Sequence, residues 1–328
     1  MLAVDLKNPK IASIRESYGK ALVKCGAEND RIVVVSADVS SSTMTKYFSE
    51  SCPERFFNVG IAEAGMIDTA VGLALEGFIP FVDAFAALVC NRGLEQIKTC
   101  VSYANANVKL VGTYAGISDY KDGPTHHSVF DISVMRAMPN MAIMVSADPV
   151  ETAKMVKIAA DYKGPVYLRL SRADMPVLFS EDHEVTLGKG SILLPGSDLT
   201  LICSGTLLYR TLLAARSLEK AGISSRVLEI HTLKPLDTEI ILKCARETGA
   251  FVTIEENSII GGLFGAVAEL LALNNMSVPV EPIGIRDRYA CTAMDVESLL
   301  DFMGLDPVSI EEAAKKVFNI KKAGEKKK

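Results

Sequence analysis

The chain has 328 residues, with 35 Lys and Arg against 40 Asp and Glu for a formal net charge of −5, and it is 49% hydrophobic. This fits about two domains of roughly 100–200 residues each and excludes disorder for the bulk of the chain. No run reaches the roughly 18–20 apolar residues of a membrane helix, no signal-peptide core opens the sequence and no basic stripe marks a nucleic-acid surface. A soluble, cytoplasmic protein with neither membrane nor nucleic acid as partner is expected.

The seven cysteines (Cys25, Cys52, Cys90, Cys100, Cys203, Cys244 and Cys291) form no CxxC pair. Wide spacing and an odd count predict reduced, mostly buried thiols. Four histidines without an HxxxH or Cys/His cluster argue against zinc, and no metal ligand is expected in this chain.

Short β-branched runs at 32–36, 79–82, 108–112, 142–146 and 166–170 are apolar on both faces. Strands of a parallel sheet covered by helices have that character. Helical spacing of apolar residues covers 11–25, 63–75, 92–103 and 149–161. Asp148-Pro149-x-Glu151 adds a cap and a first-turn proline to the last of these. A Pro-, Gly- and acid-rich stretch over 172–196 then separates a second block. Its strands are predicted at 199–203, 225–230, 251–255 and 280–285, and its helices at 207–221, 237–248 and 262–273. The fold class is α/β, in two domains, each an open, mostly parallel sheet flanked by helices. The boundaries read as 7–175, a linker at 176–195, a second domain at 196–320 and a disordered basic tail at 321–328.

Neither GxGxxG nor a Walker A loop is present, so three other segments hold the chemistry. Asn58-Val59-Gly60-Ile61-Ala62-Glu63-Ala64-Gly65 sets a carboxylate at the start of an apolar helix. The helix dipole alone would favour an acid there; a buried carboxyl aimed at a ligand's ring nitrogen is the functional alternative. Lys121-Asp122-Gly123-Pro124-Thr125-His126-His127 places half of the histidines directly after a tight turn. A loop after a strand lies where open α/β sheets bind ligands, and His is suited to proton transfer, although the pair could equally cap a helix. Arg169-Leu170-Ser171-Arg172 ends the last strand of the first block with planar donors suited to phosphate.

The ordered series SADV (36–39), NVGIAEAG, FVDAFAA (81–87), KDGPTHH, RAMPNM (136–141), SADPVE, RLSR, LEIHTLKPLD (228–237) and IEEN (254–257) resembles the transketolase family over nearly the whole chain. The likeness is to the C-terminal half of a transketolase, the pyrimidine-binding and C-terminal domains; the family's GDG…N motif for metal and diphosphate is absent. The resemblance implies one subunit of a split, two-gene enzyme. Such an enzyme uses thiamine diphosphate to pass a two-carbon ketol unit from a ketose phosphate to an aldose. A partner subunit would hold the diphosphate with Mg2+ or Ca2+, in an α2β2 heterotetramer.

By position, the resemblance makes Glu63 the glutamate on the aminopyrimidine ring. Ile61, Phe85 and Leu88 line the same pocket, and Asp38 lies nearby or at a subunit contact. Asp122 and His126 would meet the sugar, His126 as a catalytic group, while Arg15, Ser42 and Arg172 would hold its phosphate. Tyr114 falls where a phosphate-contacting His is expected, and Lys121 replaces a Glu. These departures leave the sugar open to a branched, sulfonated or otherwise non-standard ketose phosphate. The rival readings are a 2-oxo acid dehydrogenase β-subunit, a 1-deoxyxylulose 5-phosphate synthase fragment, and a non-catalytic transketolase-like regulatory subunit.

Overall fold

The computed structural model describes residues 2–325. Its first sheet runs Thr232–Lys234, Ala142–Val145, Val166–Arg169, Lys109–Thr113, Ile79–Phe85, Ile32–Ser36, Phe56–Asn58. The last six strands are mutually parallel. Their five central members are buried along nearly their whole length, as two helical covers require. The second sheet runs Val280–Ile285, Phe251–Ser258, Leu199–Ser204, Ser225–Glu229, Ser191–Leu194, parallel except for the last strand.

The missed strands are short. Phe56–Asn58 and Thr232–Lys234 have three residues each, too few for a periodic signal, and both sit at sheet edges. Thr232–Lys234 has a special place: it follows the Ser225–Glu229 strand in the chain yet pairs antiparallel with Ala142–Val145 of the first sheet. Lys234 extends the contact, its Nζ donating to the carbonyls of Arg136 (3.0 Å) and Met138. The two blocks also share apolar core, with Val35, Met66, Ile143 and Tyr167 in one cluster with Ile202, Leu228, Phe251 and Val267.

Three expectations are corrected. The helix expected from residue 11 starts at Ile14, because Ile11–Ser13 pairs with Asp174–Pro176 and the Ser13 hydroxyl then caps the helix. The helix expected over 92–103 is broken: Ala86–Arg92 ends at Gly93, followed by Leu94–Gln96 and a π-helical turn, Ile97–Ser102. A Cβ at Gly93 would lie 2.1 Å from Ile67 Cδ1, so the glycine lets the Glu63–Leu75 helix approach closely at the point where the chain breaks. The tail expected to be disordered from Lys321 is helical through Glu325, within Pro307–Glu325, and Lys321 Nζ donates to the Asp198 carbonyl at 3.1 Å. Residues 326–328 lie outside the described part. All seven cysteines are free, five of them buried. No helix among the described residues is long and apolar enough to cross a membrane.

One buried cation ties the architecture together. Arg169, at the end of its strand, donates Nε to Asp131 Oδ2 at 2.8 Å and Nη2 to the carbonyls of Ser128 (3.2 Å) and Glu256 (2.9 Å). Tyr167 donates to the same carboxylate at 2.7 Å. Thus the first of the two arginines in RLSR is structural, and only the second faces a cleft. Replacing Arg169 with Leu strands Asp131 as an unpaired buried charge, which should cost about 3–5 kcal/mol in chemical denaturation.

Asp83, wholly buried in the Ile79–Phe85 strand, accepts from the Tyr18 hydroxyl at 2.8 Å, and burial pushes its pKa up to about 8. It binds its proton more tightly folded than unfolded. Its contribution is therefore complete below the ordinary carboxyl range near pH ~4 and is lost as pH rises through the folded value. Buried His231, lowered to about 4, acts in the opposite sense but only below its ordinary range near pH ~6.5. Stability should accordingly fall as pH rises from about 4 to about 8 and level off above that. Asp83→Asn should remove up to about 1.4 kcal/mol per pH unit of that slope in denaturation curves, read most cleanly between about pH 6.5 and pH 8, above the range where His231 opposes it.

Candidate active site

The parallel strands of the first sheet end along one edge, where open α/β folds place ligands. Phe85 closes Ile79–Phe85, and Tyr114 follows Lys109–Thr113 on the neighbouring strand. Their rings stack at 4.0 Å between centroids and 21°. Tyr114 holds φ at +57°, a left-handed value costly for an aromatic residue, which turns its ring back over Phe85. His126 completes this wall, its ring 6.1 Å edge-on to Phe85 and its Nδ1 3.0 Å from the Thr125 hydroxyl.

Two guanidinium groups flank the Tyr114 ring, Arg15 at 5.1 Å and Arg172 at 5.3 Å from its centroid. Arg15 donates Nη1 to the Tyr114 hydroxyl (3.0 Å) and the Ser42 carbonyl (2.8 Å), and Nε to the Arg172 carbonyl (3.1 Å). Ser42 therefore contributes its main chain to the arrangement. Arg172 also lies over Tyr120 at 5.1 Å and pairs with Asp119 at 3.4 Å. Beside these two cations, among the described residues, stands one buried carboxylate, Asp119, whose pKa is raised by burial and by repulsion from the exposed Asp122, opposed by Arg172. With Asp122 left to solvent, the buried balance is positive. That surplus, held in place by rings and carbonyls, suits an anion.

The loop carrying Asp119 to His127 is fixed from beneath. His127 lies 3.0 Å from the Asp119 carbonyl through Nε2; a carbonyl only accepts, so the ring carries its proton there. Burial lowers the His127 pKa and keeps it neutral. Glu256, from the second sheet, accepts from the Ile117 amide and the Thr206 hydroxyl, each at 2.8 Å. Asp122 and Lys121 are exposed at the loop's rim.

Glu63 opens the Glu63–Leu75 helix with 4% of its surface exposed. Its Oε1 accepts from Arg92 Nη1 at 2.8 Å, from the end of the helix that also carries Leu88. Ile61, two residues before it, is 74% exposed. Asp38, at φ +62°, is joined to Asn58 by two bonds of 3.0 Å, and the same Asn58 carbonyl receives the Gly60 amide. Among the described residues, bonds and ring contacts unite Phe85, Tyr114, Arg15, Ser42, Arg172 and His126. They do not link Glu63, Asp38, Ile61 or Leu88 to that group. Sequence reading missed Asp119 and Arg92. The Asp119/Asp122 spacing was visible, but burial of the first was not.

The transketolase pyrimidine-binding domain model matches residues 10–177, and the transketolase C-terminal domain model matches 188–310. The chain belongs to the transketolase family. A putative transketolase C-terminal section from Methanocaldococcus jannaschii is 42% identical over 90% of this chain and 93% of its own. A 6-deoxy-6-sulfo-D-fructose transketolase subunit, SqwH, from Clostridium sp. (strain MSTE9) is 39% identical over 93% and 94%. Among solved structures, a split gene transketolase in the form of an inactive beta4 tetramer superposes with a TM-score of 0.85 at 41% identity, covering 94% of this chain and 98% of that one. The protein is thus the β-type subunit of a split, thiamine-diphosphate-dependent transketolase, a transferase family. The position of the 119–127 loop depends on Gly116, at φ +67°, where a Cβ would lie 2.2 Å from Glu256 Oε1. Gly116→Ala should displace Glu256 from Ile117, cost about 1–3 kcal/mol in thermal unfolding and speed amide exchange at Ile117.

Proposed function

We propose that this subunit supplies the aminopyrimidine side and the sugar side of a thiamine-diphosphate site. A companion subunit would complete it with the diphosphate grip and a Mg2+ or Ca2+ ion, two copies of each forming an α2β2 enzyme in the cytoplasm. The reaction is transfer of a two-carbon ketol unit from a ketose phosphate or related anionic ketose to an aldose. The observations that carry this reading are the doubly cationic Tyr114 cluster at the strand ends of the first sheet and, separately, the buried, helix-initiating carboxylate of Glu63.

The residues present fit the cofactor's aminopyrimidine. Glu63 is nearly buried with one oxygen committed to Arg92, and it lies next to the exposed apolar side chain of Ile61. A flat heteroaromatic ring needs that combination of apolar surface and one fixed carboxylate. Thiamine diphosphate, when bound, supplies the electron sink for carbon–carbon cleavage that no side chain offers. Glu63 would hold a proton at the ring nitrogen, while Phe85, Ile61 and Leu88 would fix the ring plane and exclude water. Arg15 and Arg172 would grip the terminal anion of the sugar by charge-assisted bonds. His126, on a rigid turn at the rim, would donate or take a proton at a sugar oxygen, with Asp122 orienting a hydroxyl. Tyr114 between the two arginines shortens the space for the anion, which favours a donor other than fructose 6-phosphate; the sulfosugar relative has a substrate of that kind by name.

Reconstitution with the companion subunit tests the assignment. The chain alone should show no turnover of hydroxypyruvate, and the pair should show it with a ketose phosphate but not with a branched 2-oxo acid. Glu63→Gln, of unchanged shape, should lower kcat roughly 10²–10⁴-fold with an unaltered circular dichroism spectrum. Turnover by the single chain, or an active Glu63→Gln pair, would defeat the reading.

A further inference from the structure

Away from the sugar cleft, where the two blocks meet the connector, three side chains converge in the interior. Glu151 lies in the first turn of Pro149–Asp161, His183 in the connector, and Glu229 at the end of Ser225–Glu229. Glu151 and Glu229 are wholly buried and His183 is 6% exposed. One ligand-type atom from each lies within 4.8 Å of the other two.

The polar bookkeeping of this cluster does not close. Glu151 Oε2 accepts from the Ala147 amide at 2.7 Å, but Glu151 Oε1, both oxygens of Glu229 and His183 Nε2 have no hydrogen-bond partner. Unsatisfied buried polar atoms are rare in native interiors and call for an explanation such as an ion. A proton shared between Glu151 and Glu229 would satisfy one oxygen of each, but it leaves the other Glu229 oxygen and His183 Nε2 unpartnered, and His231, near His183, bonds the Thr232 hydroxyl through Nδ1. Asp148 spends its carboxylate on the amides of Glu151 (2.7 Å), Leu178 (2.8 Å) and Phe179 (3.0 Å). Lys154, on the same helix as Glu151, donates to the Glu181 carbonyl at 2.6 Å. His183 is clamped flat on Phe179, with ring centroids 3.9 Å apart, so its free nitrogen is aimed rather than floating.

We propose that Glu151, His183 and Glu229 bind a divalent first-row transition-metal ion, with Zn2+ the best match, which staples the two sheets to the connector. Imidazole nitrogen selects against Mg2+ and Ca2+, and two carboxylates neutralise the ion's charge. Bonds of about 2.0–2.2 Å would draw the three ligand atoms together from their present spread. Without an ion, two buried carboxyls this close must share a proton; with one, both ionise and the proton leaves. Proteins with few histidines can build such a site because the ligands come from three distant segments, out of reach of spacing motifs.

The test uses the full chain without its companion, so the cofactor's own metal plays no part. After EDTA treatment, equilibration with Zn2+ and gel filtration, elemental analysis should find about one zinc per chain. The ion at a hundredfold excess over Kd should raise Tm by roughly 5 °C. Glu229→Gln and His183→Ala should each weaken binding at least roughly tenfold, since even outer-shell partners of a metal carry that much. The Glu151→Gln/Glu229→Gln pair should fold and ignore zinc. A Cys291→Ser variant, which removes the exposed thiol, should bind as the parent does. Zinc below a tenth of an equivalent overturns the proposal, as does zinc retained equally by His183→Ala and Glu229→Gln. The cluster is then a proton-sharing carboxyl pair.

Discussion

The Arg169 guanidinium is the fixed point on which both halves of this molecule are hung. It belongs to a central strand of the first sheet, yet its bonds reach the start of a helix at Asp131, the loop at Ser128 and the second sheet at Glu256. A charge buried this deeply is tolerated only when paired and hydrogen-bonded, as Nε and Nη2 are here, so its partners have little freedom to move. Because Glu256 also holds the Ile117 amide, the 119–127 loop that follows inherits its position from the same network.

The candidate site is built on that rigidity with the opposite electrostatic logic. At Arg169 the charges cancel; at Tyr114 they do not. Arg15 is held by a ring face and two carbonyls and Arg172 by two ring faces and Asp119, and the pKa of that carboxylate is raised by burial. Ordering the guanidiniums beforehand removes an entropic cost that the anionic substrate would otherwise meet on binding.

Much of this was legible in the sequence where the physics is local. The five buried strands of the first sheet announce themselves as β-branched runs, and Glu63–Leu75 and Pro149–Asp161 have the limits their apolar spacing gives. The motif series singled out Phe85, Tyr114 and Arg172, which lie at or just past strand ends of the first sheet and touch one another, and Glu63, which opens its helix. What could not be read depends on tertiary meetings. Phe56–Asn58 and Thr232–Lys234 are strands only because a neighbour's edge awaits them. Ile67 approaches Gly93 closely at the point where a helix breaks, and Arg169 looked like Arg172 until burial separated their roles. The gathering of His183 with two glutamates lies beyond any spacing rule, since connector, helix and strand meet there by topology alone.

The pairing of Thr232–Lys234 with Ala142–Val145 bears on how this polypeptide could be divided. A family whose catalytic unit can be spread over separate chains is modular somewhere, but not between these two blocks. Severing the connector would leave the first block with Ala142–Val145 as an unpaired, wholly apolar sheet edge, a template for adding foreign strands. The second block would lose in turn the surface on which Ile230 and Leu233 are buried. The shared strand pairing and the shared core make the two blocks one unit of folding, with the edge of the first sheet completed by the second block only in the joined chain.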